Sequence, residues 1–179
     1  IEEYYKQCAH DGTNEYQVEK SKKAMASMSA ILGDPDRISA LAKDFVGHYE
    51  KRIAEGATVA GKAMFVSSSR TIAYLLYQEL QTLRPQWFEV LECAVGQSLS
   101  DSDRKKLKPS AQVRLVMSRG KDDEKDLWEL IGTKDDRKEL DRQFKQAKSN
   151  FKIAIVVDMW LTGFDVPFLD TMYIDKPVS

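Results

Sequence analysis

The chain has 179 residues, 42% hydrophobic and 31% charged, with 27 Lys and Arg against 28 Asp and Glu for a formal net charge of −1. This is enough for the core of one α/β domain plus an extension, too polar for a membrane protein, and without a global pull toward nucleic acid, so any DNA contact must come from a local cluster. No apolar run approaches the roughly 18 residues a spanning helix needs, and the opening IEEYYKQCAH is no signal peptide, so a cytoplasmic location is expected.

Helical signals dominate up to Gly56. Met25, Met28, Ile31 and Leu32 form one stripe of the stretch Val18 to Leu32, with Lys20, Lys22 and Lys23 at its start as a solvated face. Asp34-Pro35 reads as an N-cap followed by Pro at the first helical position. Ile38, Leu41, Ala42, Phe45, Tyr49 and Ile53 then keep a helical period, which predicts an amphipathic helix ending near Gly56. Residues 1–58 are accordingly assigned to a helical extension or linker. Cys8 and Cys93 lack metal-type spacing and are expected as free thiols. His10 and His48 have no ligand-spaced partners, so packing or surface roles fit them, and no metal site is expected.

Gly56 to Ala63, GATVAGKA, falls one residue short of a phosphate loop. Its last position, Ala63, cannot bind Mg²⁺, and the run precedes a strand, whereas a phosphate loop follows one. It is rejected as a nucleotide site. Ala63 to Val66 is a short apolar strand, Ser67-Ser68-Ser69-Arg70 its polar end, and Ile72, Leu75, Leu76, Leu80 and Leu83 the buried stripe of the next helix. Hydroxyls, helix N-terminal N–H groups and Arg70 suit phosphates, which they can hold without reading bases. Ser69 or Thr71 as a plain helix cap would need no ligand, and both readings stay open.

After Arg84-Pro85 the segment Gln86 to Ser110 reads as a loop or insertion with a short helix. It holds a strand-like WFEVLEC and a basic tract whose Arg104, Lys105, Lys106 and Lys108 suit a solvated turn better than DNA. Val113 to Met117 is a second core strand, with Ser118-Arg119-Gly120 at its end. Asp122-Asp123-Glu124 sits in a charged, breaker-flanked stretch and not at a strand end, so no acidic Mg²⁺ motif is present there. Thr133 and Asp136 form a capping pair opening a helix through Leu140, Phe144 and Ala147. Helix after strand, repeated, argues for a parallel sheet with right-handed crossovers.

The richest stretch is Phe151 to Pro177. Ile153 to Val157 is a continuous apolar run suited to a strand covered on both faces, Asp158 ends it, and Thr171 to Asp175 is the next strand. Between them Gly163 lets the backbone turn or approach a ligand, Asp165 offers an acceptor-only carboxylate and Pro167 fixes φ. Polar groups thus gather at the carboxyl end of a strand, where open α/β sheets bind ligands.

DMWLTGFDVP resembles motif V of superfamily 2 helicases and translocases, and IVVDMWLTGFDVPFLDTMYIDKP is very similar to the motor (R) subunit of type I restriction enzymes. KAMFVSSSRTIAYLLYQEL resembles motif IV, and ILGDPDRISALAKDFVGHYEKRI the linker helices before the second motor lobe, so the likeness covers roughly the last 150 residues. It implies an α/β, RecA-like three-layer lobe with a mainly parallel sheet over residues 59–179, after the helical extension and ending before motif VI.

The resemblance also implies roles. Gly163 and Asp165 would face ATP in the cleft between two lobes, and Ser67, Ser68, Ser69 and Arg70 would meet DNA phosphates. Many relatives carry Thr where this chain has Val157 and Arg where it has Thr162, which leaves Thr162 as that loop's candidate DNA contact. ATP and Mg²⁺ would serve the full-length subunit, with none expected bound to this lobe alone. Double-stranded DNA, the first RecA-like lobe, a nuclease domain, and methyltransferase and specificity subunits would be its partners. The lobe alone is expected to be inactive: the phosphate loop lies on the first lobe, and the arginines of motif VI, which contribute about 10³ to 10⁵ in rate in NTPases, would follow Ser179. Two other readings stay open, a non-motor interaction scaffold with this fold and the second lobe of a DNA-repair or remodelling helicase.

Overall fold

The computed structural model describes residues 33–157 and 169–175. Helix α1 (Pro35–Ala54) starts where the sequence places it: the Asp34 carboxylate accepts from the Arg37 backbone N–H at 3.1 Å, and Pro35 occupies the first turn, where a missing N–H costs nothing. Strand β1 (Lys62–Ser67) leads into α2 (Arg70–Leu83). A 3₁₀ turn (Pro85–Phe88) and the short α3 (Asp101–Lys106) then fill the segment expected as a loop with a short helix. WFEVLEC forms no strand: its Trp87 and Phe88 belong to the 3₁₀ turn, Trp87 is buried against Tyr49 with ring centroids 5.5 Å apart, and Leu91 makes one antiparallel bridge to Ser110.

Strand β2 (Val113–Val116) and helix α4 (Lys125–Ile131) follow. The sequence reading contained no helix at α4: only Leu127 and Ile131 of its seven residues are buried, and two apolar positions make no period. Gly132, with φ at 75°, ends α4 in a conformation that side chains disfavour, and the chain restarts at once as α5 (Lys134–Phe144). The expected capping pair opens it. Thr133 N donates to Asp136 Oδ2 at 2.8 Å and Asp136 N to Thr133 Oγ1 at 3.1 Å. Thr133→Ala should cost about 1 kcal/mol and lower the melting temperature by roughly 2–4 °C, read from thermal unfolding followed by circular dichroism. An unchanged melting temperature would mean that this junction adds no stability.

Strands β3 (Ile153–Val157) and β4 (Leu169–Asp175) complete a four-stranded sheet in the order β2-β3-β1-β4, every neighbouring pair parallel. Side chains alternate between its two faces. Phe65, Leu115 and Ile155 join Phe45, Tyr49, Leu76 and Ile131 of α1, α2 and α4 on one face, while Met64, Val116 and Val156 join Leu140 and Phe144 of α5 on the other. Two covered faces make the three layers of an α/β fold of RecA-like type, and explain why β1 and β3 read as continuous apolar runs.

Helix α1, expected within the extension, is part of this core. The Phe45 ring stands edge-on to Phe65 at 5.7 Å and to Tyr173 at 4.8 Å. No described helix is long and apolar enough to cross a membrane.

Candidate functional site

The register places the carboxyl ends of all four strands on one edge: Ser67 pairs with Val157 and with Asp175, and Val116 with Val156. The Ser67–Arg70 and 118–120 loops therefore meet there, as ligand-binding loops do in open α/β sheets.

Most of the serines are committed to the turn. Ser67 is fully buried and its Oγ donates to the Ser69 carbonyl at 3.0 Å. Ser69 Oγ caps α2 by accepting from Ile72 N at 3.1 Å, as the ligand-free reading allowed. The Ser68 hydroxyl is buried and has no hydrogen-bond partner among the described residues.

Arg70 makes a clasp that the sequence did not disclose. Its Nη1 and Nη2 donate to Asp123 Oδ1 and Oδ2 at 2.8 and 2.6 Å, and Nη2 also donates to the Ser118 carbonyl at 2.8 Å. Gly120 N donates to Asp123 Oδ2 at 2.6 Å. The hydrogen bonds from Arg70 hold the Asp123 carboxyl below its ordinary pKa, and those to Asp123 raise that of the guanidinium. A Cβ on Gly120 would lie 2.8 Å from Arg70 Nη1, so a side chain there would push the guanidinium off Asp123. One loop is thus tied to the other across the strand ends. Arg119 is fastened as well, its Nε donating to the Trp128 carbonyl at 2.9 Å and its guanidinium lying 4.4 Å from the centre of the half-exposed Trp128 ring. Sequence reasoning missed both partners: Asp123 was visible only as part of an acidic run and Trp128 belongs to the unforeseen α4.

At β4 the Asp175 carboxylate pairs with Arg37 of α1. His48 Nδ1 contacts the Tyr173 hydroxyl, a packing role. Cys93 is a free thiol, and no group of three or more His, Cys, Asp or Glu among the described residues could hold a metal ion. Thr162, Gly163 and Asp165 lie outside the described residues, as do Cys8, His10 and the Lys20, Lys22 and Lys23 cluster.

The opposite, amino edge holds the lysine of GATVAGKA. Lys62 is the first residue of β1 and fully buried, its Nζ donating to the Phe151 carbonyl and lying 5.2 Å from the centre of the Phe144 ring. Burial, and secondarily the charge of Lys152, push its pKa down to about 6. A neutral amine sealed in the sheet cannot meet a phosphate. The rejection of that segment as a phosphate loop thus has a geometric reason.

The family described as type I restriction enzyme subunit R domain 3 matches residues 59–179 of this chain. The chain is 36% identical over 149 residues to the type I restriction enzyme HindI endonuclease subunit of Haemophilus influenzae, a match covering 83% of this chain and 12% of the relative. It is 35% identical over 162 residues to the putative type I restriction enzyme MjaIXP endonuclease subunit of Methanocaldococcus jannaschii, covering 90% of this chain and 13% of that protein. The matched region is therefore only a small part of either relative's length. No solved structure matches significantly.

Proposed function

The chain belongs to the family of type I restriction enzyme R subunits, and from that premise we propose that it is the second RecA-like motor lobe of such a subunit, which uses ATP to move duplex DNA and then cleaves it. The lobe would supply half of the nucleotide cleft and half of the DNA track. The observation that carries this reading is the shared carboxyl edge, where the Ser67–Arg70 and 118–120 loops are tied by Arg70 beside the end of β3, the strand that precedes Gly163 and Asp165 in the sequence.

ATP and Mg²⁺ would be held mainly by the first lobe. The lysine of GATVAGKA is sealed in the sheet, and no group of three or more His, Cys, Asp or Glu among the described residues could hold a metal ion. Gly163 and Asp165 would complete the cleft from this side, and Ser68, Arg70 and Thr162 would face DNA phosphates. The nuclease domain of the same subunit, and methyltransferase and specificity subunits, would be the wider partners, in the cytoplasm.

The test compares the complete subunit with this chain alone. Asp165→Ala should cut DNA-stimulated ATP turnover of the complete subunit at least about tenfold, roughly 1.4 kcal/mol of lost transition-state stabilisation. The same change should shift the stability of the isolated chain by no more than about 0.5 kcal/mol. Without the first lobe, the isolated chain should show no Mg²⁺-dependent ATP turnover above background on duplex DNA. Normal turnover in the variant subunit, or DNA-stimulated turnover by the chain alone, would overturn the reading.

A further inference from the structure

At the carboxyl edge Arg70 spends both terminal nitrogens on the Asp123 carboxylate, so its charge is already matched within the fold. Arg119 is held without being matched. Its Nε donates to the Trp128 carbonyl at 2.9 Å and its guanidinium lies 4.4 Å from the centre of the Trp128 ring. Nη1 and Nη2 donate to nothing among the described residues and form no ion pair there. The Asp136 carboxyl is held below its ordinary pKa first by its Thr133 hydrogen bonds and only after these by the charge of Arg119, which it does not pair with.

The backbone is fixed on both sides of this side chain. The Ser118 carbonyl accepts from Arg70 Nη2 at 2.8 Å, and Gly120 N donates to Asp123 Oδ2 at 2.6 Å. The Trp128 ring, 41% exposed, covers one face of the guanidinium and limits its rotation. A planar fork held in this way has little side-chain freedom left to lose, and its two unspent nitrogens match the oxygens of a phosphate group. Position favours a phosphate of the DNA track. Arg119 follows β2, two places from β1 in the order β2-β3-β1-β4, which sets it about 10 Å along the edge from the Ser67–Arg70 loop, or about three base pairs of duplex.

We propose that Arg119 binds one backbone phosphate of duplex DNA through Nη1 and Nη2, without reading bases, and that the Trp128 ring acts as its positioning residue. This inference rests on the motor reading and deepens it, because it adds a contact that neither the Ser67–Arg70 loop nor Thr162 would make.

Affinities of the complete subunit for unrelated duplexes, measured by fluorescence anisotropy across a salt series, test it. Arg119→Gln should weaken binding about three- to tenfold at ~0.1 M salt and flatten the log–log salt slope by about one unit, the loss of one phosphate contact. Arg119→Lys keeps the charge but lacks the Nε donor, so it should retain the parent slope. Trp128→Leu should keep that slope and lower affinity about two- to threefold, because the fork must then be ordered on binding. If Lys and Gln at position 119 weaken binding alike, Arg119 only ties its loop to α4, and the proposal is overturned. A parent slope in Arg119→Gln overturns it too, as does a raised KM for ATP with unchanged DNA affinity, which would move the residue to the nucleotide cleft. Unchanged affinity in Trp128→Leu overturns the part given to the ring. Asp165→Ala separates the two readings: if it cuts turnover as expected while Arg119→Gln binds DNA like the parent, this inference alone fails. Absence of DNA-stimulated turnover in the parent subunit sinks both.

Discussion

Lys62→Met should stabilise this chain at pH 7 by roughly 2–4 kcal/mol, an unusual direction for a substitution at a fully buried site. Lys62 titrates at about 6 in the folded chain against 10.5 as the ordinary value, so at pH 7 folding requires it to give up a proton. That proton costs about 5 kcal/mol at pH 7, of which the loss of the hydrogen bond to the Phe151 carbonyl takes back about 1–3. The sign of the pH dependence follows from the same fact. Between about pH 6 and 10.5 the unfolded chain binds one proton more than the folded one at this position, so stability rises with pH by up to about 1.4 kcal/mol per unit, and falls as pH drops toward 6.

The variant should lose this slope below pH 8. Part of it should persist from about 8 to 10.5, where Lys152 titrates with the same sign. Above about pH 10 Tyr49 opposes both, because burial raises its pKa and the unfolded chain loses that proton first. Urea unfolding from pH 6.5 to 9 measures the effect. A variant destabilised by several kcal/mol at pH 7, or one with the parent slope, would show that Lys62 stays charged in the fold.

Substitutions at Arg70 and at Asp123 should move DNA binding in opposite directions. Arg70→Ala leaves an Asp123 carboxylate that is 6% exposed with Gly120 N as its remaining donor, which should cost about 2 kcal/mol. The cost stays below that of a fully buried pair because the Arg70 side chain is 39% exposed and water screens it. The same variant should weaken an already weak, sequence-indifferent affinity for duplex DNA. Asp123→Asn removes the negative charge and turns one of two acceptor oxygens into an amide donor, so the clasp loosens and the guanidinium charge is released toward phosphates. It should tighten DNA binding several-fold and steepen the salt dependence by about one unit in log–log slope, the signature of one more phosphate contact. Affinities for unrelated duplexes across a salt series decide it. If Asp123→Asn and Arg70→Ala weaken binding alike, Arg70 serves DNA only by holding the two loops together.

The sequence by itself determined everything that depends on neighbours along the chain. Asp34-Pro35, Thr133 with Asp136, the apolar runs of β1 and β3 and the stripe of α2 are local patterns, and each forms the element its pattern requires. The family resemblance, carried by consecutive residues, was legible for the same reason. Tertiary structure alone decided which distant groups meet. The order β2-β3-β1-β4 brings Arg70 to Asp123, 53 residues away, and gives a candidate phosphate contact an ion-pair partner. It sinks Lys62, which looked like part of a failed phosphate loop, against Phe151 and Phe144 at the amino edge. It also gives α1 a place in the core and α4 a reason to be helical, because two or five apolar residues acquire a face to bury only once the sheet exists to cover.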